Sequence, residues 1–421
     1  MTMRIDVKQE LFASKSHRLE GKRVLVLGTG SVALFKTPDV VRELIRHGAE
    51  VDVMLSPEAA KLVSPAVFEW ASGRKVRLDI TGNVEHVLFA GEHPLKVDLV
   101  IVCPLTASTL GKFVQGIADT NVTLTLMTAL GSKIPILLVP GMHEPMFQNQ
   151  FVQDNIANVK TLPAVTFLQP RVEEHKAKVP DLQTIISWSI RLLSPQKLQG
   201  KHVLVTGGPN HEFFDRVRFI GNPSSGKTGF SLALEAWYLG ASVSFIVGPN
   251  SLDLLNLFTI IPVTSASDMA DAVLAELKKF PYNIAFFSAA VADFTPVSFT
   301  DDKIRSSDKE LTISLKSTKK ILQLVKEFKK SSNQSNLFVV GFKAEFNKTK
   351  DELSSICAKY FSNGHADLMV ANLIGSDTTG FNVDSTQVHV FSSQDYTFLE
   401  GSKLSIAQNL FSFIIDKALL K

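Results

Sequence analysis

A ten-residue phrase occurs twice in this 421-residue chain, at residues 19–28 (LEGKRVLVLG) and 198–207 (LQGKHVLVTG). In each copy a glycine and a lysine precede a short apolar, β-branched run that ends on a glycine. This pattern is typical of the first buried strand of a parallel α/β sheet. Each copy is followed by a helix-like stretch, a glycine and a second β-rich run, at 49–55 and 241–247. The repeat therefore predicts two similar domains.

Further apolar runs alternate with helix-length segments and predict more buried strands. They lie at residues 97–103, 134–139, 284–288, 337–341 and 368–371. This alternation predicts two doubly wound parallel-sheet (Rossmann-like) domains in tandem, of the α/β class. A stretch with a proline, polar residues and a glycine (residues 193–200, LSPQKLQG) is the best linker. We therefore expect domains at residues 1–194 and 195–421.

The charge and cysteine content exclude several classes of protein. The 44 Lys and Arg residues against 41 Asp and Glu residues give a net charge of +3, too small for sequence-independent binding of nucleic acid. No apolar run reaches the ~18 residues of a membrane-spanning helix. Cys103 and Cys357 suggest neither a disulfide framework nor a thiolate metal site, so we expect a reducing cytoplasm.

Ligands of open parallel sheets bind beyond the carboxyl ends of the strands. After the first predicted strand, residues 28–33 (GTGSVA) include Gly30 and Ser31 and fit G-x-G-x-x-A, which indicates either a dinucleotide site or only a tight turn. A nicotinamide site usually has an acid after the second strand. Here Ser56 stands there, and a serine suits a phosphate better than a ribose diol.

The later strands of the first half are also followed by polar side chains. Thr106 and Ser108 lie at a helix start, where free N–H groups can meet an anion or the hydroxyls can simply cap the helix. Met142 and His143 lie in the loop after the next strand. On sequence grounds alone, His86, bracketed by apolar residues, is better interpreted as a core or surface histidine than as a functional one.

Five ordered segments of the first half resemble the flavin-dependent cysteine decarboxylases that act on phosphopantothenoylcysteine. The segments are 29–33 (TGSVA), 85–89 (EHVLF), 104–109 (PLTAST), 116–119 (GIAD) and 140–146 (PGMHEPM). The resemblance implies FMN with its phosphate near Gly30, Ser31 and Ser56. It also implies flavin contacts from Thr106, Ser108, Met142 and His143. By the same resemblance His86 assists oxidation of the substrate thiol by the flavin before decarboxylation, a role that suits an imidazole because one ring nitrogen can take the proton.

The first half departs from this family in three places. Ser108 and His143 each replace an asparagine that many members carry. The bacterial clamp cysteine that protonates the intermediate has no counterpart in residues 171–178 (RVEEHKAK). Lys176 or Lys178 in that segment could contact the substrate phosphate, or the segment could be a solvated charge run.

The second half has its most informative stretch at residues 207–229 (GGPNHEFFDRVRFIGNPSSGKTG). Small residues let backbone amides approach phosphate oxygens, and Ser224, Ser225, Gly226 and Lys227 lead into a helix whose start adds positive potential. Residues 221–228 (GNPSSGKT) also match the Walker A expression. A P-loop follows directly on a buried strand, whereas charged residues precede this match, so we predict that it is not a P-loop.

This stretch resembles the long signature of the phosphopantothenate-cysteine ligases. Four further segments of that family follow in order, at 289–294 (AAVADF), 303–304 (KI), 341–345 (GFKAE) and 367–372 (DLMVAN). The resemblance implies that the phosphopantothenate carboxylate attacks the α-phosphate of CTP, and that the cysteine amine then displaces CMP from the acyl-cytidylate. Among the departures, Asn210 replaces a threonine, and Thr318-Lys319-Lys320 stands where members usually have a proline.

The same resemblance assigns roles to single residues. Asn222 would handle the acyl-cytidylate and Lys303 would stabilise developing negative charge. Asp293 would orient Mg²⁺ or contact the nucleotide, Phe342 would lie near the cytosine, and Lys359 would contact the nucleotide. Without the resemblance, the ordinary interpretations would be a helix-capping residue for Asp293, exposed residues for the lysines and a core residue for Phe342.

Together the two halves indicate a bifunctional family of coenzyme A biosynthesis, of the archaeal type, with phosphopantothenate, cysteine and CTP as small-molecule substrates. The resemblance also implies a homo-oligomer, with trimeric decarboxylase and dimeric ligase contacts. We weigh two alternatives: an active ligase fused to a flavin-binding scaffold or regulatory domain that has lost decarboxylation, and a nicotinamide-dependent reductase.

Overall fold

The computed structural model of the chain describes residues 10–173, 176–304, 310–332, 334, 336–374 and 385–417. The chain divides into two compact units, Met1–Ser194 and Pro195–Lys421. Each unit has its own sheet, and each is described by itself below.

The first unit is built on a five-stranded parallel sheet with strand order β2-β1-β3-β4-β5. A small antiparallel hairpin, β6–β7, follows it. The strands are β1 (Arg23–Gly28), β2 (Glu50–Leu55), β3 (Leu99–Leu105), β4 (Ile136–Pro140), β5 (Val165–Phe167), β6 (Arg171–Glu173) and β7 (Lys176–Lys178). The helices are α1 (Thr37–Arg46), α2 (Pro57–Leu62), α3 (Pro65–Ser72), α4 (Glu85–Ala90), α5 (Ala107–Val114), α6 (Asn121–Gly131), α7 (Glu144–Phe147), α8 (Gln150–Lys160) and α9 (Leu182–Leu193), with a 3₁₀ turn at Val32–Lys36.

The central strands of this sheet are buried along almost their whole length. Every residue of β3 and β4 is buried, as are five of the six residues of β1. Continuous apolar runs of this kind are stable only where helices cover both faces of a parallel sheet. The observed strand order, with its reversal between β1 and β3, is that of a doubly wound fold.

The second unit has an eight-stranded sheet with strand order β12-β11-β8-β13-β16-β17-β18-β19. Its first six strands are parallel, and β18 and β19 are antiparallel additions. The strands are β8 (His202–Gly207), β9 (His211–Phe213), β10 (Phe219–Gly221), β11 (Ser242–Val247), β12 (Thr259–Pro262), β13 (Ile284–Phe287), β14 (Phe294–Pro296), β15 (Leu315–Ser317), β16 (Phe338–Phe346), β17 (Leu368–Ile374), β18 (Ser385–Ser392) and β19 (Tyr396–Ser402). The helices are α10 (Lys227–Tyr238), α11 (Ala266–Lys279), α12 (Ile321–Ser331), α13 (Lys350–Ser362) and α14 (Lys403–Asp416).

The predicted fold class is confirmed, and each predicted strand corresponds to an observed one. The sequence interpretation missed the short parallel strands β5 and β12, the antiparallel strands β18 and β19, and the hairpins β6–β7, β9–β10 and β14–β15. β19 alternates between exposed and half-buried residues, as expected for an edge strand with one solvated face. The search for continuous apolar runs overlooks such strands.

Candidate active sites

Three loops of the first unit meet at the carboxyl edge of its sheet. The buried Thr29 hydroxyl, just after β1, donates a hydrogen bond to the carbonyl of Pro104 (2.6 Å) and accepts one from the N–H of Thr106 (3.2 Å). The N–H of Gly141, just after β4, donates to the carbonyl of Leu105 (3.0 Å). These bonds hold the segments that follow β1, β3 and β4 side by side.

The residues predicted to hold a phosphate lie on the first of these loops and on the neighbouring one. The N–H of Ser56 donates to the carbonyl of Gly28 (2.9 Å), and its buried hydroxyl caps α2. A Cβ at Gly30 would lie 2.7 Å from the Cβ of Glu58, so only glycine lets this turn lie against α2. The Ser31 hydroxyl caps the 3₁₀ turn. Both serines thus have a capping role in the chain as it stands.

The other predicted flavin contacts are arranged around the same edge. The Thr106 hydroxyl caps α5 by accepting the N–H of Thr109 (3.2 Å). Ser108 in the first turn of α5 and His143 before α7 are exposed, whereas Met142 is buried. The two side chains that depart from the decarboxylase pattern are therefore open to a ligand.

His86 lies on α4, which packs against α6. Its side chain is half-buried, and within the described parts of this unit no hydrogen bond, ion pair or ring contact joins it to the loops above. The preceding Glu85, which the sequence analysis did not single out, is buried and accepts hydrogen bonds from Thr81. Burial alone would raise the pKa of Glu85, but the hydrogen bonds from Thr81 outweigh it and lower the pKa.

The segment without a clamp cysteine forms the β6–β7 hairpin. Glu174, His175 and the side chain of Lys176 lie outside the described residues. The suggested phosphate contact by Lys176 or Lys178 stays a prediction.

The second unit contains a cavity of about 760 Å³ at the carboxyl ends of β8, β13, β16 and β17. All of the residues predicted for this half line it, except Lys303: Asn222, Ser224, Ser225, Gly226, Lys227, Asp293, Phe342 and Lys359. Residues separated by more than a hundred positions in sequence thus share one cavity.

The start of α10 forms one wall of this cavity because it lies very close to β8. Gly226, with φ of 78°, occupies the N-cap position and contributes no side-chain cap. A Cβ at Gly229 would lie 2.8 Å from the Cα of Gly207 and 3.0 Å from the carbonyl oxygen of Thr206. The close approach therefore depends on glycine and places the amino end of the helix, where negative charge is favoured, at the cavity.

The cavity wall is strongly cationic. Its lysines are Lys227, Lys319, Lys320, Lys343, Lys359 and Lys403. Among the described residues that line it, Asp293 is the single carboxylate, and it forms an ion pair with Lys320. Such a surface attracts a polyanion. The sequence analysis did not predict four of these lysines as site residues, namely Lys319, Lys320, Lys343 and Lys403. Lys343 could have been found, because it lies two residues after the end of the predicted strand 337–341.

Asn222 and Asp293 are fixed by backbone contacts across the mouth of the cavity. The Asn222 side-chain amide donates to the carbonyls of Ala290 (3.1 Å) and Val291 (3.4 Å). The N–H of Thr318 donates to the carbonyl of Asp293 (3.0 Å). Nowhere in the described chain do three or more His, Cys, Asp or Glu side chains form a group that could hold a metal ion.

Lys303 is exposed and does not line the cavity. It lies on a loop attached to the β9–β10 hairpin, because the N–H of the next residue, Ile304, donates to Asp215 (3.3 Å). The structure therefore does not bring Lys303 together with the other predicted residues.

The Walker A match is not a P-loop. The β9–β10 hairpin stands between the buried strand β8 and the helix α10. Gly221 belongs to β10, whereas Gly226 caps α10. The matching residues thus do not form the single strand-to-helix turn that a P-loop requires.

Comparisons with known proteins give each half a class. A family model described as "Flavoprotein" matches residues 12–194, and one described as "DNA/pantothenate metabolism flavoprotein C-terminal domain" matches residues 198–418. A solved C-terminal domain of a coenzyme A biosynthesis bifunctional protein CoaBC is 29% identical and covers 52% of this chain and 96% of its own, with a TM-score of 0.41. Within the described residues, no helix combines the length and the apolar character needed to span a bilayer.

Two relatives span most of the chain. The coenzyme A biosynthesis bifunctional protein CoaBC of Thermococcus kodakarensis is 41% identical over 86% of this chain and 88% of its own length. The protein of the same name from Methanocaldococcus jannaschii is 32% identical over 95% of both chains. The chain belongs to this family of bifunctional coenzyme A biosynthesis enzymes, which confirms the family expected from the sequence motifs.

Proposed function

We propose that the second unit joins 4′-phosphopantothenate to cysteine with CTP, and that the first unit decarboxylates the product with FMN. The observation that carries the proposal is the cationic cavity, in which eight of the predicted ligase residues meet. Family membership supports the pairing of the two activities in one chain.

The shape and charge of the cavity suit a nucleoside triphosphate. Its volume of about 760 Å³ lies within the usual range of small-molecule sites. Ser224, Ser225 and Gly226 bring backbone amides to the start of α10, and Lys227 adds positive charge where phosphates would lie. Phe342 offers an apolar face for the base. The role proposed for Asn222, whose side-chain amide binds the carbonyl of Ala290, is to contact the acyl-cytidylate.

The described residues of the cavity do not form a magnesium site made of protein ligands alone. Asp293 is the single carboxylate among the described lining residues, and Lys320 already binds it. Mg²⁺ usually takes near-octahedral oxygen ligands from one or two carboxylates, waters and substrate phosphates. We therefore propose that Mg²⁺ enters with CTP as part of the substrate, and that the role of Asp293 is to contact the nucleotide.

The first unit offers the donors that FMN requires. The loops after β1, β2 and β3 carry the hydroxyls of Ser31, Ser56, Thr106 and Ser108, which suit a phosphate and a ribityl chain. When bound, the flavin accepts the two electrons of the substrate thiol. The role proposed for His86 is to take the proton of that thiol.

The two thiols of the chain do not replace the missing clamp cysteine. Cys103 and Cys357 are both buried, so neither thiol can reach a substrate. Burial also raises the pKa of Cys103 to about 12 and that of Cys357 to about 11. The proton donor must come from another residue or from water. Unpaired, buried thiols also support the proposed location in a reducing cytoplasm.

We also propose a homo-oligomer, trimeric through the first unit and dimeric through the second. Two apolar side chains beside the phosphate-binding turn, Val32 and Phe35, are 74% and 60% exposed. We propose that these two exposed apolar side chains contribute to a subunit contact next to the flavin. Such a contact could supply His86 from a second copy, since His86 lies apart from the loops of its own unit.

Two assays test the proposal separately. Incubation of the full chain with 4′-phosphopantothenate, cysteine, CTP and MgCl₂ should release pyrophosphate and CMP, and ATP in place of CTP tests nucleotide choice. Anaerobic incubation with phosphopantothenoylcysteine should release CO₂, and the protein should be yellow with a flavin spectrum. A yellow protein that ligates but releases no CO₂ would favour the scaffold function for the first unit. A colourless protein that needs NADH or NADPH would favour the reductase.

A further inference from the structure

A buried carboxylate joins the loop that carries Lys303 to the β9–β10 hairpin. Asp215 lies in the turn of this hairpin, and its side chain has no exposed area. Its Oδ1 accepts hydrogen bonds from the N–H groups of Val217 (2.8 Å) and Arg218 (2.6 Å). Its Oδ2 accepts one from the N–H of Ile304 (3.3 Å). One side chain thus connects the hairpin turn with the residue next to Lys303.

Arg218 completes the connection from the other side. Its Nε lies 3.1 Å from Oδ2 of Asp215, and its Nη2 donates a hydrogen bond to the carbonyl of Ile304. Both backbone polar groups of Ile304 are therefore bound. Burial alone would raise the pKa of Asp215, but the backbone donors and Arg218 outweigh it and lower the pKa. The carboxylate therefore stays charged and accepts hydrogen bonds from all of these donors.

The same hairpin also reaches the cavity. β10 ends at Gly221, and the following Asn222 binds the carbonyl of Ala290 on the cavity wall (3.1 Å). At the other end of the hairpin, the N–H of Thr300 donates to the carbonyl of Phe214 (3.0 Å). One small hairpin therefore fixes two segments, one bearing Asn222 and the other bearing Lys303.

A second ion pair between the hairpin and this loop is exposed. Arg216 pairs with Asp301, and their side chains are 64% and 79% exposed. Exposed ion pairs contribute little because water screens them and long side chains lose freedom. Arg216 also donates from Nε to the carbonyl of Asp301 (3.2 Å), again at the exposed surface. The buried contacts of Asp215 are the ones next to Lys303, and Arg216, a charged neighbour with exposed contacts to the same loop, provides the control.

We propose that Asp215 is a positioning residue for ligation: it holds Ile304, and through it the loop of Lys303, against the hairpin that carries Asn222 to the cavity. Lys303 itself lies outside the cavity wall, so this contact sets the position from which the lysine approaches the acyl-cytidylate. The inference rests on the proposed ligase function. Because Asp215 does not line the cavity, its loss should slow the chemical step and leave CTP binding intact. A misplacement of about 1 Å can lower a rate by about 10²-fold.

The test uses four full-length variants: Asp215→Asn, Lys303→Gln, the double variant and Arg216→Gln. Single-turnover release of pyrophosphate from CTP and 4′-phosphopantothenate gives the rate, and calorimetric titration with CTP and MgCl₂ gives the affinity. We expect Asp215→Asn to lower the rate on the order of 10²-fold with the CTP affinity within about threefold. The double variant should be no slower than Lys303→Gln, because both changes remove one interaction. Arg216→Gln should stay within about threefold of the native rate.

Any result that differs from these expectations overturns the inference. A native rate for Asp215→Asn would do so, as would rate losses that multiply in the double variant or a parallel loss of CTP affinity. If Asp215→Asn does not fold, Arg218→Lys removes the bond to the carbonyl of Ile304 and takes its place under the same criteria. A native rate for Lys303→Gln would remove both this inference and the role of Lys303. The absence of ligation in the native chain would instead reject the proposed function itself.

Discussion

Replacing Gly229 by alanine tests the close contact between α10 and β8 that shapes the ligase cavity. The new Cβ would lie 2.8 Å from the Cα of Gly207, 3.0 Å from the carbonyl oxygen of Thr206 and 3.1 Å from a ring carbon of Phe245. Two of these three atoms belong to the backbone of a buried strand and cannot rotate away. The helix must therefore shift outward, and its first turn must move with it.

The expected cost follows from two opposing effects. Overpacking a buried contact typically costs about 1–3 kcal/mol, whereas alanine is favoured over glycine inside a helix by about 1 kcal/mol. The net loss should be up to about 2 kcal/mol, or a fall of up to about 8 °C in the melting temperature of a unit of this size. The shift also displaces Lys227 and the amides before it, so ligation should fall at least tenfold.

The assay compares both activities in one preparation with thermal unfolding by calorimetry. Decarboxylation should stay at the native rate, because it belongs to the other unit. Gly131→Ala is the matched control: this glycine is also helical, has no atom within 4 Å of its Cβ position and does not have positive φ. It should be neutral or stabilising. Full stability and full ligation in Gly229→Ala would refute the argument that the cavity depends on this contact.

Three further changes have defined outcomes. Asn210→Thr should raise the unfolding free energy by about 1 kcal/mol in denaturant titration. The reason is that neither polar atom of the buried Asn210 side chain has a hydrogen-bond partner among the described protein groups. A loss of stability would show that the amide does have such a partner. Thr29→Val should cost about 2–3 kcal/mol and reduce bound flavin, measured by absorbance per chain, because it removes partners from Pro104 and Thr106; unchanged flavin content would contradict this. Burial opposes the charge of Glu43, but Lys15 and Arg46 hold its pKa below the usual 4.5, so the stability it contributes is present above about pH 5 and is lost as pH falls. Glu43→Gln should therefore show a shallower loss of denaturation midpoint below pH 5, and an unchanged slope would disprove the coupling.

The sequence predicted the fold well because the signal was local and repeated. Each copy of the phrase marks a first strand, and the polar residues after the following strands must meet at one edge of a parallel sheet. Asn222, Asp293, Phe342 and Lys359 were singled out by the resemblance to the ligases, and the structure brings all four to one cavity. The roles of these residues came from family motifs, which the geometry supports but does not test.

The remaining features depend on contacts that no local pattern reveals. Lys403 opens the last helix and reaches the cavity only because two antiparallel strands, β18 and β19, fold back beside β17. Lys320 faces Asp293 only because the turn at Thr318 binds the segment after β13. Lys303 follows its motif in sequence, yet in space it is set apart by the hairpin that holds Ile304.

The two copies of the phrase end on glycine for different physical reasons, and this difference separates the two sites. At Gly28 a Cβ would strike the side chains of Leu55 (2.5 Å) and Leu34 (2.8 Å), which lie under a short turn that leads directly to the serine-capped segment. At Gly207 a Cβ would lie 2.7 Å from a ring carbon of Phe245 and 3.3 Å from the Cα of Gly229. At the second copy the glycine therefore leaves room for the backbone of α10, which follows the β9–β10 hairpin in sequence. One strand motif therefore supports a hydroxyl-lined turn in the first unit and a lysine-lined cavity in the second, because the segments inserted after it differ.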